Sequence, residues 1–347
     1  MRALALLGHG GIDSLAELEL PSPTLASEHD VLIRVRAAAI NHLDLFLTEG
    51  IKGITVSFPH IVGTDGAGVV EQVGAAVRSV RPGDRVALNP GISCGRCEAC
   101  AGGEEPLCRD YAILGEHLPG TAAEFVIVPE RNVAKIPEEM PWEVAAALPL
   151  SNLTAWRMLT TRAKVEAGET VLIWGIGGGV ALAALAIARH LGARIFVTSS
   201  SDRKLEHARN LGAEELFNHA ESTPDEIAKR VRKLTGSGVD VVVDTVGETT
   251  WGASLKSLRP GGRLVTCGAT SGPMVELDIR RLFWFQWSIL GSTMGSHAEF
   301  AEVMALAREG KLWPVVDSVV PLARGPEAYE RMRRGEQQGK LVLEVSQ

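Results

Sequence analysis

The spacing of apolar and polar positions changes midway along the chain. Up to about residue 150, short aliphatic and β-branched runs are broken by glycine and proline, and 31–35, 67–73 and 125–128 carry strand character. The opening residues 1–8 read as a first strand, and Pro82-Gly83-Asp84 is a turn delivering another at Arg85 and Val86, the kind of corner a small barrel needs. This half is expected to be mainly β. Near Val171 the period shifts to a buried strand at 171–174, a run of glycines, an apolar helix over 181–190 and a second strand at 194–198. The unit repeats as a helix around 204–211, a strand at 240–244, a helix over Ser254 and a strand at 263–266. Such alternation predicts parallel strands joined by right-handed crossovers, a doubly wound sheet. After Gly291 come a helix over 298–308 and a strand at 340–344, expected to return to the first half. The expected division is therefore 1–151, 152–290 and a returning segment 291–347.

Composition narrows the picture. A chain of 347 residues, 46% hydrophobic and 22% charged, can bury two cores, which excludes wholesale disorder. A net charge of −7 without a Lys/Arg run argues against a nucleic-acid surface. The longest apolar stretch, 180–188, is too short to span a bilayer, and the N-terminus lacks a signal-peptide cleavage pattern, so no membrane association and a cytoplasmic location are expected. No solenoid-length repeat or low-complexity linker interrupts the chain.

The candidate chemistry begins where the strand at 171–174 turns into a helix. Gly175, Gly177, Gly178 and Gly179, with Val180 and Ala181 following, place backbone amides at a helix N-terminus where a pyrophosphate can approach closely. The spacing fits Gly175-x-x-Gly178-x-x-Ala181 better than G-x-G-x-x-G, and the flanking strand and helix supply the context that a glycine match alone lacks. The second strand ends in Thr198-Ser199-Ser200-Ser201-Asp202-Arg203-Lys204, without the terminal acid that accepts bonds from the ribose hydroxyls of NAD. Ser199 and Ser200 with Lys204 or Arg203 favour the 2′-phosphate of NADP, whereas an Asp202 that turned back toward the ribose would restore a preference for NAD.

Four of five cysteines, Cys94, Cys97, Cys100 and Cys108, crowd into 94–108, spaced to close tetrahedrally around one zinc and leave no open position for substrate. An iron–sulfur cluster and disulfides are the competing readings. Cys267, at a strand end, reads as a buried small residue.

A β-rich first half with a four-cysteine lobe, a dinucleotide-binding second half and a short return resembles the zinc-type medium-chain dehydrogenase/reductase superfamily. The resemblance rests on 58–68 (Phe58 through Gly68), the cysteine lobe, Leu153-Thr154-Ala155-Trp156, the glycine turn, Asp240-Val241-Val242-Val243-Asp244 and Gly261-Gly262-Arg263. It implies a two-domain α/β fold: a GroES-like, mainly β catalytic domain and a doubly wound parallel (Rossmann) cofactor domain. The alcohol dehydrogenases of that family hold a catalytic zinc through a cysteine, a histidine and a further cysteine. Here the matching positions are Asn41, Thr64 and a site at or near Leu150, and Leu43 replaces the hydroxyl of their proton relay. An amide, a hydroxyl and an aliphatic side chain are poor zinc ligands, which leaves Asp65 alone. The resemblance then points to the metal-independent quinone and enone reductases, with one structural zinc and NADP, or NAD, as cofactor. It implies roles at the reacting end for Asn41 as a donor to the substrate oxygen, for Asp44 in orienting its loop, and for Thr64. It implies cofactor contacts for His42, Thr154 and Gly268, and a homodimer or homotetramer acting on a small molecule.

Two other functions stay open at this point. One is an alcohol dehydrogenase with a displaced zinc set such as His42 or His60 with Asp65. The other is a nicotinamide-binding sensor or subunit without turnover. The apolar stretch 283–290, with Trp284, Phe285 and Trp287, reads either as a pocket wall or as a subunit-edge strand.

Overall fold

The computed structural model describes residues 1–346, which form two compact units: Met1–Leu153 together with 294–346, and Thr154–Thr293. The first unit is built on the ten-residue strand Asp30–Ala39, in which Val31, Ile33 and Val35 are fully buried while the residues between them are half-covered. That period of two lets one face pack while both edges pair. The strand runs antiparallel to Asp65–Val73, Phe125–Pro129 and Lys340–Glu344. Arg85–Leu88 and Val133–Lys135 extend the sheet on one side, and Val316–Pro321 lies parallel to Lys340–Glu344 on the other. A smaller sheet has Arg2–Leu6 between Leu15–Glu19 and His60–Ile61. Tyr329 and Met332 of helix Gly325–Arg333 pack on the same core as Ile33, Val70, Leu88 and Leu343.

The second unit is a six-stranded, wholly parallel sheet. In spatial order its strands are Glu215–Asn218, Arg194–Ser199, Thr170–Ile173, Val239–Val243, Leu258–Thr266 and Ser288–Gly291. The first three run against chain order and the rest with it, so the order reverses between Thr170–Ile173 and Val239–Val243. This is the doubly wound order anticipated from the alternating pattern, and ligands bind outside the carboxyl ends of the strands at such a reversal. Helix Pro224–Thr235, which the hydrophobic spacing alone did not single out, is bounded by strong local chemistry. Thr223 and Glu226 form a reciprocal capping box, Pro224 opens the first turn, and Gly236 closes the helix in the left-handed region.

Two expectations are corrected. The apolar helix begins at Gly179 rather than 181, because Gly178 is extended (φ −79°, ψ 160°) and serves as its N-cap. Only Ser288–Gly291 of the stretch 283–290 is a strand. Phe283, Trp284 and Phe285 end the helix Ile279–Phe285, capped by the Asp278 side chain and stopped by Gln286 at φ 53°. No described helix is long and apolar enough to cross a membrane.

Candidate active site and metal centre

Three neighbouring strand ends assemble a buried polar cluster in the first unit. Ala39 pairs with Asp65 on one side and Val342 on the other, so the chain just past Ala39, the start of Asp65–Val73 and the start of Lys340–Glu344 converge. Asn41 caps the helix His42–Glu49, and its backbone amide donates to Asp44 Oδ2 at 2.7 Å. The Thr64 hydroxyl donates to Asp44 Oδ1 at 3.3 Å. Lys340 Nζ donates to Asp65 Oδ2 at 3.0 Å and to Asn41 Oδ1. Asn41 Nδ2 donates to the same Asp65 oxygen at 3.0 Å, and the Leu150 amide donates to Asp65 Oδ1 at 2.7 Å. Asn41, Asp44, Thr64, Asp65 and Lys340 are each less than one-tenth exposed.

The three positions aligned by resemblance with zinc ligands, Asn41, Thr64 and Leu150, thus do meet around Asp65. Their chemistry does not fit a catalytic zinc. Thr64 spends its hydroxyl on Asp44, Leu150 offers only a donor amide, and both Asp65 oxygens accept protein hydrogen bonds. A zinc site needs soft or imidazole donors with free lone pairs, and an ammonium on the one carboxylate competes with any cation. His60 is turned away, its Nε2 lying 3.1 Å from the Gly115 carbonyl. Among the described residues, the cysteine quartet is the one group of three or more His, Cys, Asp or Glu side chains whose ligand atoms all lie within 4.8 Å of one another.

Burial pushes the Asp44 carboxyl up to about 7, against the lowering effect of the Asn41 amide and of the Lys340 charge. The fully buried Tyr329 hydroxyl has no hydrogen-bond partner among the described residues, and burial pushes its pKa well up, with the Asp44 charge adding to the effect. Lys340 is the member that the sequence reading missed. A lysine opening an otherwise apolar strand, Lys340-Leu341-Val342-Leu343, was the available signal, because a buried lysine requires a partner.

The glycine turn lies at the strand-order reversal of the second unit. Gly175 and Gly177 sit at φ +71° and +129°, conformations that favour glycine. The Gly175 amide donates to Thr198 Oγ1 at 3.1 Å and the Ile176 amide to the Thr198 carbonyl at 2.7 Å, which ties the turn to the second strand. A Cβ on Gly178 would meet nothing within 4 Å, so a helix N-terminus faces open space where a phosphate fits. The Lys204 stem crosses the turn, because a Cβ on Gly177 would lie 2.7 Å from its Cδ and 3.3 Å from its Nζ. Ala181 is buried, Val180 half-buried, Ser199 buried and Ser200 exposed. Gly268 follows the fifth strand, and a Cβ there would lie 3.2 Å from the Thr245 carbonyl. Across the reversal Asp244, fully buried, accepts from the amides of Val246 and Gly247 and from the hydroxyls of Thr250 and Ser254, so it fixes the loop after its strand. Thr154 is buried in the helix Pro149–Trp156, and His42 is half-buried at the first position of its helix.

In the cysteine lobe all four side chains are unbridged, with Cys97 and Cys100 sulfurs 3.5 Å apart and Cys94 and Cys100 sulfurs 3.9 Å apart. Amides of Arg96 and Cys97 aimed at Cys94 lower its thiol to about 6. Within the quartet the thiols shift in opposite directions, Cys94 down and Cys108 up to about 11, as expected of crowded sulfurs, and four sulfurs within 4.8 Å of one another fit a structural zinc that would hold them as thiolates.

Comparison with known proteins shows the family to which this fold belongs. Residues 27–138 match the alcohol dehydrogenase GroES-like domain and residues 179–309 match the zinc-binding dehydrogenase domain. An alcohol dehydrogenase of Geobacillus stearothermophilus is 32% identical over 329 residues, covering 94% of this chain and 95% of its own. The human quinone oxidoreductase is 30% identical over 354 residues, covering 99% and 97%. A solved structure of an NAD-dependent alcohol dehydrogenase superposes with a TM-score of 0.95 at 43% identity, each chain fully covered. The chain belongs to the zinc-type medium-chain dehydrogenase/reductase superfamily, with a GroES-like domain and a Rossmann domain, and is an NAD(P)-dependent oxidoreductase.

Proposed function

We propose that this protein transfers hydride from a nicotinamide cofactor, NADPH in preference to NADH, to a quinone, an enone or another activated carbonyl compound without a catalytic zinc. The observation that carries the reading is the Asp65 carboxylate. The ligand position that could still hold an ion is paired with the Lys340 ammonium and has both oxygens engaged by Asn41 and Leu150. Without a Lewis acid, alcohol oxidation lacks its largest electrostatic term, whereas conjugate hydride addition depends mainly on positioning. The bound dihydronicotinamide supplies the hydride. Asn41 is assigned to donate to the substrate oxygen as charge develops there. One of its Nδ2 hydrogens goes to Asp65, and the other has only a 3.4 Å contact with the Ala39 carbonyl. Asp44 and Thr64 hold the Asn41 loop, while His42, Thr154, Gly268 and the glycine turn are assigned to the cofactor. The cysteine quartet is assigned one structural zinc. The protein is assigned to the cytoplasm and acts as a homodimer or homotetramer.

Steady-state oxidation of NADPH and NADH against a panel of quinones, enones, aldehydes and ketones, with zinc counted per chain, tests this reading. Turnover of quinones or enones at one zinc per chain is expected. The several alcohol dehydrogenases among its relatives favour alcohol oxidation as a second reading. A second zinc lost together with activity under a chelator would establish it. Tight cofactor binding with no turnover across the panel would leave a non-catalytic nicotinamide sensor.

A further inference from the structure

We propose that Asn218 sets the cofactor preference of this protein by holding Asp202 away from the adenosine ribose, an inference that rests on the 2′-phosphate reading given above. Asp202 is the only acid between Arg194 and Leu205, so the electrostatics at the end of the second strand turn on where its carboxylate points. Asn218 is the last residue of the adjacent strand and stands in register with Ser199. Its amide is fixed at both ends. Oδ1 accepts from the Ala220 amide at 2.8 Å, and Nδ2 donates to Asp202 Oδ1 at 2.7 Å. Flipping the amide would set two acceptors against each other and leave the Ala220 amide facing a donor, so the orientation is determined.

With Asp202 drawn toward the third strand, what remains beside the glycine turn is cationic or hydroxylic. Lys204 lies across Gly177. Ser199 Oγ accepts from the Ser201 amide at 3.2 Å, which leaves a hydroxyl, not an acid, at the end of this strand. His219 Nδ1 lies 3.4 Å from Thr198 Oγ1, and burial lowers its pKa. A 2′-phosphate meets donors there, whereas a released Asp202 would repel it and accept from the two ribose hydroxyls of NADH. Asn218 is thus a positioning residue, acting through the carboxylate it restrains.

The test uses the full-length protein, with dissociation constants for NADPH and NADH from fluorescence titration on wild type, Asn218→Ala, Asp202→Asn, the double variant and Lys204→Met. Asn218→Ala is expected to weaken NADPH about fivefold with NADH unchanged or tighter, the scale of one freed surface charge near a phosphate. Asp202→Asn alone should stay within about twofold of wild type, because that charge is already turned away. The double variant should recover the wild-type ratio, which a purely structural defect at Asn218 would not do. An unchanged ratio in Asn218→Ala, or no recovery in the double variant, overturns the inference. If Asn218→Ala does not fold, a large gain in NADPH affinity from Asp202→Asn alone overturns it equally. Wild type that binds NADH more tightly, together with a Lys204→Met variant indifferent to NADPH, overturns the 2′-phosphate reading itself and the inference with it.

Discussion

A carboxyl that ionises only near neutrality leaves a thermodynamic signature of a definite sign. Asp44 has its folded pKa raised by burial to about 7, from an ordinary value of 3.8. Between those values the folded state binds more protons than the unfolded one, so this group's contribution to stability falls as pH rises from about 4 to about 7 and is level above. Asp44→Asn is therefore expected to remove a slope of at most about 1.4 kcal/mol per pH unit from the unfolding free energy in that window. Urea titrations of wild type and variant at half-unit intervals check this. The buried histidines, whose pKa values are lowered, contribute with the opposite sign and cancel in the difference. An identical slope in both proteins would show that Asp44 is not the group taking up the proton. The neighbouring ion pair makes a separate prediction. Lys340 and Asp65 are 4% and 0% exposed, so Lys340→Met strands a buried carboxylate and is expected to cost about 3 to 5 kcal/mol. Lys340→Met with Asp65→Asn should recover most of that loss. Equal losses in the single and double variants would mean that packing, not charge, holds the site. Asn41, Asp44 and Thr64 could be named from the sequence because they lie in short motifs. Lys340 carried a weaker signal, a lysine heading an apolar strand, but not the identity of its partner, since Asp65 is 275 positions away and only the pairing of three strands brings them together.

At the scale of elements, legibility followed the range of the forces involved. The strands at 171–174, 194–198, 240–244 and 263–266 and the helix at 181–190 were readable because their apolar runs are continuous and their turns carry glycine, both local signals, whereas Glu215–Asn218 and Pro224–Thr235 were not. The stretch 283–290 stays open between pocket wall and edge strand because an aromatic-rich run satisfies strand and helix patterns alike, and the deciding cap of Ile279–Phe285, the Arg280 amide donating to Asp278, is a single hydrogen bond. Asn218 gave no warning, as its importance lies in which neighbouring element it reaches. The glycine turn yields a sharper test than its pattern. Gly178 has backbone angles open to any residue, and a side chain there would meet no protein atom. Gly178→Ala should then cost stability about 1 kcal/mol at most. Its methyl group would still occupy the space where a pyrophosphate must approach the helix amides, so the dissociation constant for the cofactor is expected to rise about tenfold or more. Thermal melts paired with cofactor titration separate the two effects. A variant that binds NADPH as tightly as wild type would remove the glycine turn from the phosphate site.

The whole molecule leaves one apolar surface unexplained by its own fold. Met274, Ile279, Phe283 and Trp284 are 78%, 67%, 64% and 76% exposed within eleven residues of one another, and the helix carrying three of them has no buried residue. Single exposed apolar residues are ordinary, whereas four large ones on one segment are the kind of surface that commonly serves as an interface. Beside them in sequence is the outermost strand of the parallel sheet, Ser288–Gly291, which pairs only with Leu258–Thr266 among the described residues. A free edge is an aggregation hazard unless closed, and a second copy related by a two-fold axis would pair that edge with itself. Light scattering on the wild-type protein is expected to show a dimer or tetramer. The double variant Phe283→Asp with Trp284→Asp should shift it to monomer and lower its melting temperature, since charges at the centre of a desolvated patch remove contact area and add a burial penalty. A wild-type protein that is monomeric at micromolar concentration would leave this face to a different partner and would free the sheet edge from the role argued for it.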